Sequence, residues 1–156
     1  MRKILINRCF GGYTLSDEFK IKLCKIKNRE CDKLYFYSGG YDEDYNDTFE
    51  FIRDFKFKEN GDLIVENQRP SWNMIYVTYE YQGKNPEELM NCTFLSDELY
   101  DRDDKDLIKL FEEMGSKKAS GRCASLKIVE IPEDVEWEIS DYDGLEEIHE
   151  KHRVWC

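Results

Sequence analysis

Long apolar runs, paired-cysteine motifs and a surplus of basic charge are all missing from this sequence, and each absence removes a class of function. The apolar stretch at the start, Ile4 to Ile6, is far too short for the core of a secretory signal, and no later stretch is long enough to span a bilayer. The expectation is a chain of the cytoplasm, or of the host cytoplasm for a viral protein, with no membrane partner. The six cysteines, Cys9, Cys24, Cys31, Cys92, Cys123 and Cys156, contain no C-x-x-C pair and no framework spacing. They read as reduced thiols, mostly buried as small hydrophobes, with no zinc module and no cofactor implied. With 34 acidic against 23 basic residues, the formal net charge of -11 repels phosphate backbones, so direct nucleic-acid binding is disfavoured.

What is present suits one folded core. A length of 156 residues is close to the commonest domain size, and 40% hydrophobic with 14% aromatic residues is enough apolar material to close it. Ile4 to Ile6 reads as a buried strand ended by Asn7-Arg8 and the Gly11-Gly12 turn. Ser16 then caps a helix with Asp17 and Glu18 in its first turn and Phe19, Leu23 and Ile26 on one face. Strand character returns from Lys33 to Tyr37, a loop is expected from Ser38 to Thr48, and Glu59-Asn60-Gly61-Asp62 signals a hairpin. Met74 to Tyr81 predicts a further strand and Pro86 the start of a short helix. Asp103 or Asp104 caps a second helix whose Leu107, Leu110, Phe111 and Met114 repeat at helical spacing before Gly115. Leu126 to Ile131 and Val135 to Ile139 are strand-like, Tyr142-Asp143-Gly144 is a turn, and Leu145 to Lys151 is expected to be a short acidic helix.

Hairpin-like strands interrupted by helices predict an α+β fold, with a mixed, mainly antiparallel sheet and two or three packed helices. The opening strand, turn and helix can supply one parallel crossover. A single domain over residues 1–156 is expected.

The segments Ile4-Leu5-Ile6-Asn7-Arg8-Cys9-Phe10-Gly11-Gly12-Tyr13-Thr14-Leu15-Ser16 and Leu126-Lys127-Ile128-Val129-Glu130-Ile131-Pro132, with Tyr142-Asp143-Gly144 and His152-Arg153-Val154-Trp155, are similar to an uncharacterised family of tailed-phage and large DNA virus proteins. The similarity extends through Arg102-Asp103-Asp104 to Gly115 and covers roughly half the chain, leaving 33–100 as a variable or inserted, sheet-rich region. It implies a viral setting; it brings no catalytic residues with it.

Four groups of residues are chemically interesting. A glycine turn between a strand and a capped helix can direct backbone N–H groups at an anion, which nominates Asn7, Arg8, Gly11, Gly12 and Ser16. The segment lacks a Walker lysine and the full G-x-G-x-x-G spacing, so the glycines have an equally simple role in turning the chain. Arg102 and Asp104, at the start of the second helix, and His152 and Arg153, at the end of the chain, complete the candidate ligand-binding set. Cys9 with a distant His149 or His152 is a conceivable nucleophile and base, against the commoner role of a small buried residue. His149 and His152 with Glu146 or Glu150 can share a helical face as metal ligands, but the spacing is not diagnostic and no metal is expected. Tyr41 to Asp47 is an acidic, aromatic loop suited to a basic partner or, more ordinarily, to water.

The favoured expectation is an accessory protein binding, and in an enzymatic version processing, a nucleotide or other phosphorylated small molecule. The competing expectations are an acidic module that engages a host protein, with a DNA-mimicking inhibitor as its sharpest form, and a virion or assembly component. No catalytic constellation is complete in the sequence, and nothing in it sets the oligomeric state.

Overall fold

The computed structural model describes residues 1–28, 34–41, 47–52, 55–64, 74–76, 97 and 100–151, the segments 34–41, 47–52 and 74–76 by backbone alone. The expected Pro86 helix, most of the acidic loop and the residues His152, Arg153 and Trp155 lie outside the described residues.

The fold is α+β. Strand β1 (Arg2–Asn7) buries Ile4, Leu5 and Ile6 almost completely, which is why both of its faces are apolar. It pairs antiparallel with β5 (Leu126–Ile131) in the register Leu5↔Ile128 and Asn7↔Leu126. Between them in the chain come helix α1 (Asp17–Ile26) and strands β2 (Leu34–Tyr41), β3 (Asp47–Ile52) and β4 (Met74–Tyr76). Helices α2 (Lys105–Met114) and α3 (Ser116–Ala119) follow. The chain then finishes its described course with β6 (Trp137–Tyr142) and β7 (Leu145–Glu150). Among the described residues three antiparallel sheets result, in the orders β1-β5, β3-β2-β4 and β6-β7. Every described strand pairing is antiparallel, and the parallel crossover expected of the opening unit does not occur among the described residues.

Phe19 and Leu23 of α1 meet Leu107, Leu110 and Phe111 of α2 over Leu5 and Leu126 of the β1-β5 pair. The helical spacing of those residues places them on one face of each helix, and that face is the core. Ser16 caps α1 by accepting from the Phe19 N–H at 3.2 Å, while Gly115 ends α2. The short turn at Asn60-Gly61 is closed by the Phe57↔Leu63 bridge and seats against α1, with the Glu18 N–H donating to the Gly61 carbonyl at 2.9 Å. Leu63 donates its N–H to Asp17 at 2.8 Å, so two groups at the start of α1 are occupied by this turn.

Two sequence expectations change. Of the loop expected from Ser38 to Thr48, residues 38–41 continue β2 past a register irregularity between Tyr37 and Tyr41, where Gly39 and Gly40 allow the chain to bulge, and Asp47 and Thr48 open β3. In the segment 145–151, expected to be a helix, Leu145–Glu150 form β7, paired to β6 from Tyr142↔Leu145 to Trp137↔Glu150. Asp143 and Gly144 take φ values of 52° and 86°, the left-handed pair that closes a two-residue hairpin with the natural strand twist. A helix there would be too short to sustain itself and would set Glu146 and Glu150 one turn apart as like charges.

Candidate functional site

An antiparallel partner satisfies only one edge of a strand, and the other edge of β1 carries the N–H groups of Leu5 and Asn7 and the carbonyl of Leu5. No strand covers them among the described residues. The Leu5 N–H donates to the Arg102 carbonyl at 2.9 Å, and the Arg102 Nη1 donates back to the Leu5 carbonyl at 3.2 Å. The Asn7 N–H donates to Glu146 Oε2 at 2.8 Å. Arg102 closes the arrangement with a two-pronged bond to Glu146, Nη1 to Oε2 at 3.0 Å and Nη2 to Oε1 at 2.8 Å. The side chains are 16% and 6% exposed, so this is a buried, hydrogen-bonded pair and not a surface contact.

Tyr13 forms the floor beneath it. The Arg102 guanidinium lies 3.1 Å from the Tyr13 ring centroid, a stacked cation on an aromatic face. Burial pushes the Tyr13 phenol far above its ordinary value of 10.0, with the nearby Arg102 charge acting against that shift and Asp97 and Glu146 adding to it. The phenol is therefore neutral throughout the physiological range.

Asn7 is fully buried and joins three loops. Its Nδ2 donates to the carbonyls of Cys9 at 2.7 Å and Gly144 at 2.6 Å, and its Oδ1 accepts from the Ser125 N–H at 2.8 Å. The Gly11-Gly12 turn sits inside this junction. A Cβ at Gly11 would lie 1.5 Å from the Cys123 carbonyl oxygen, and one at Gly144 would lie 2.3 Å from the Gly12 nitrogen. Gly11 is therefore packed against the Cys123 main chain and Gly144 against that of Gly12, while the Cβ direction of Gly12 is open.

The structure thus brings Asn7, Arg8, Gly11, Gly12 and Arg102 together. Arg8 donates to the Glu146 carbonyl at 3.0 Å and stands 3.6 Å from the Glu147 carboxylate. Ser16 and Asp104 lie elsewhere, each at a helix start. Asp104 Oδ1 accepts from the Asp106 and Leu107 N–H groups, and Lys27 binds its other oxygen at 2.6 Å. Burial acts to raise the Asp104 carboxyl, but Lys27 and the two N–H donors outweigh it and hold it below its ordinary value of 3.8. Glu18 behaves alike: burial opposes ionisation, and Lys22 and Lys118 overcome it. His149 projects from the opposite face of β7 to Glu146, beside Glu147, so the two do not form a metal-binding face. No group of three or more metal-ligating side chains occurs among the described residues.

Sequence reasoning missed Glu146 as the partner of Arg102, and it missed the clefts around Trp137. One cleft, of about 340 Å³, is lined by Tyr100, Asp101, Arg102, Asp103 and Trp137. A second, of about 400 Å³, lies on Trp137 too and carries Glu133, Asp134 and Glu136 with Arg2 and Lys151. Arg2 spans towards both, reaching Asp103 at 3.8 Å and the Glu133 carbonyl at 3.4 Å. The alternation of Val135, Trp137 and Ile139 was the available signal, since it puts a large aromatic on one face of an otherwise acidic segment. No helix among the described residues is long and apolar enough to cross a membrane.

No family model, curated protein or solved structure matches the chain.

Proposed function

We propose that the protein is an acidic interaction module that receives a basic segment of another protein in the clefts around Trp137. In the viral setting suggested by the terminal motifs, that partner is a host protein. The observation that supports this most is how the charges are committed. The arginines a phosphate would need are engaged, Arg102 by Glu146 and Arg8 beside Glu147, whereas the open clefts are lined by Asp101, Asp134 and Glu136 together with Asp103, 3.8 Å from Arg2, and Glu133, 3.2 Å from the Met1 amino group. Carboxylates around an indole suit an incoming Lys or Arg, whose stem covers the ring while its charge is attracted to the acids. The net charge of -11 would steer such a partner from a distance.

The alternative, a nucleotide or other phosphorylated small molecule held by the Arg8 and Arg102 cluster, requires those arginines to leave their carboxylates. Fluorescence anisotropy with a fluorescein-labelled, lysine- and arginine-rich peptide separates the two. Binding that weakens with salt and with Trp137→Ala or Asp101→Asn supports the interaction module. Absence of binding, together with a thermal shift produced by nucleoside phosphates and abolished by Arg8→Ala, would replace it with the small-molecule reading.

A further inference from the structure

The turn that follows β1 brings two thiols of distant sequence to the same point. Cys9 and Cys123 are 114 positions apart, yet the Cys9 Sγ donates to the Cys123 carbonyl at 3.1 Å. The Cys123 Cβ is packed against Gly11, 2.9 Å from where a Cβ at that glycine would stand. Both cysteines are free, Cys123 exposed and Cys9 half-buried beneath it. A disulfide requires Cα atoms about 4.4–6.8 Å apart. A thiol already touching the main chain of the other cysteine needs only local adjustment of the turn to meet that condition. Gly12, at a φ of +83°, gives the turn the wide backbone range of a glycine.

We propose that Cys9 and Cys123 form a dithiol modification site that hydrogen peroxide, or another two-electron thiol oxidant, converts to an intramolecular disulfide. Exposure decides the order of events. The open Cys123 sulfur, as thiolate, attacks one peroxide oxygen; the O–O bond breaks, a Cys123 sulfenic acid forms and the other oxygen leaves as water after taking up a proton. The Cys9 sulfur then attacks the Cys123 sulfur. The S–O bond breaks, the S–S bond forms, and the departing hydroxide leaves as a second water with the proton from the Cys9 thiol. Two thiols lose two electrons in total and one peroxide gains them.

The site is prepared for the change. The single Cys9 S–H is shared between the Cys123 carbonyl and Asn7 Oδ1 at 3.3 Å, and losing it leaves Asn7 Oδ1 no orphan because the same oxygen accepts from the Ser125 N–H. The cross-link would fasten the turn after β1 to the loop that leads into β5, at the junction where Gly144 of the β6-β7 hairpin also seats. Oxidation therefore stiffens the place where three segments meet, and it does so whatever the partner of the Trp137 clefts.

The test is titration of the whole, reduced chain with hydrogen peroxide, followed by alkylation of remaining thiols and non-reducing peptide mapping. The expected product has lost two hydrogens, carries one Cys9–Cys123 cross-link, reverts with dithiothreitol and unfolds at higher urea than the reduced form. Cys9→Ser and Cys123→Ser should each abolish the cross-link and Cys24→Ser should leave it, with circular dichroism showing that all three fold. Accumulation of Cys123 sulfinic acid while Cys9 stays alkylatable would overturn the proposal. So would cross-links through other cysteines, or thiols that remain unreacted at every dose.

Discussion

Arg102→Met and Glu146→Leu, singly and together, measure what the buried pair contributes to the fold. Either single change leaves a buried charge without its counter-ion, which typically costs about 3–5 kcal/mol. The 16% exposure of the Arg102 side chain places this pair towards the lower end, about 3 kcal/mol, because some solvent still reaches the guanidinium. At about 2–4 °C per kcal/mol for a chain of this size, Tm should fall by roughly 6–12 °C. The double variant removes both charges and leaves an apolar contact in their place. Its residual cost is then the Asn7 N–H and the Leu5 carbonyl, both left without these partners, at about 1–3 kcal/mol each and about 3–4 kcal/mol together. Urea unfolding of the four proteins should give a coupling energy of about 2–3 kcal/mol, with the double variant much less damaged than the sum of the singles. Single losses under about 1 kcal/mol that add without coupling would show the pair to be worth no more than a surface ion pair, and the account of β1's covered edge would fail.

Gly11→Ala should be far more damaging than Gly12→Ala, as read from thermal melts. The first places a Cβ 1.5 Å from a main-chain oxygen, whereas the second meets no atom and suffers only the strain of its φ of +83°, about 1–2 kcal/mol. Acid should remove a defined part of the stability through Glu18, whose folded carboxyl lies below its ordinary 4.5. The unfolded chain then binds the proton first, so this contribution is fully present above 4.5 and is lost as pH falls through the lower, folded value. Protonation of the exposed acids relieves repulsion and works the other way, so the informative quantity is the difference in urea midpoint between the natural chain and Glu18→Gln. It should shrink between about pH 6 and about pH 3, and a difference that grows on acidification would refute the assignment.

The helices were legible because their signals are local. Ser16 and Asp104 each cap a helix they precede, and Phe19, Leu23, Leu107 and Phe111 carry a period that points in a single direction, towards the core. The strand β1 was legible for a similar reason, since a run such as Ile4 to Ile6 bounded by polar residues and glycines has few alternatives. The β6-β7 hairpin was half legible. Asp143-Gly144 announced its turn, but Leu145-Glu146-Glu147-Ile148-His149-Glu150 satisfies a helical spacing and an alternating one almost equally, and only pairing with β6 chooses between them.

That one ambiguity hid the buried Arg102–Glu146 pair. On a helix, Glu146 would group with Glu150 and the histidines and invite a metal; on a strand it alternates inward while Glu147 and His149 face out. The inward position brings it to Arg102, whose role had been open because an arginine ahead of a helix reads alike whether it awaits an anion or already holds one. The same ambiguity governed the glycine turn. Gly11 and Gly12 serve equally for a phosphate to approach or for Cys123 and Gly144 to pack, and the spacing within 7–16 cannot tell which. Both motifs turned on a residue more than forty positions away. In this chain Asn7, Arg8, Gly11 and Arg102 are engaged by other parts of the chain, and the clefts beside Trp137 are lined largely by acids. A search for a partner therefore belongs at that indole, with basic peptides as the first probes.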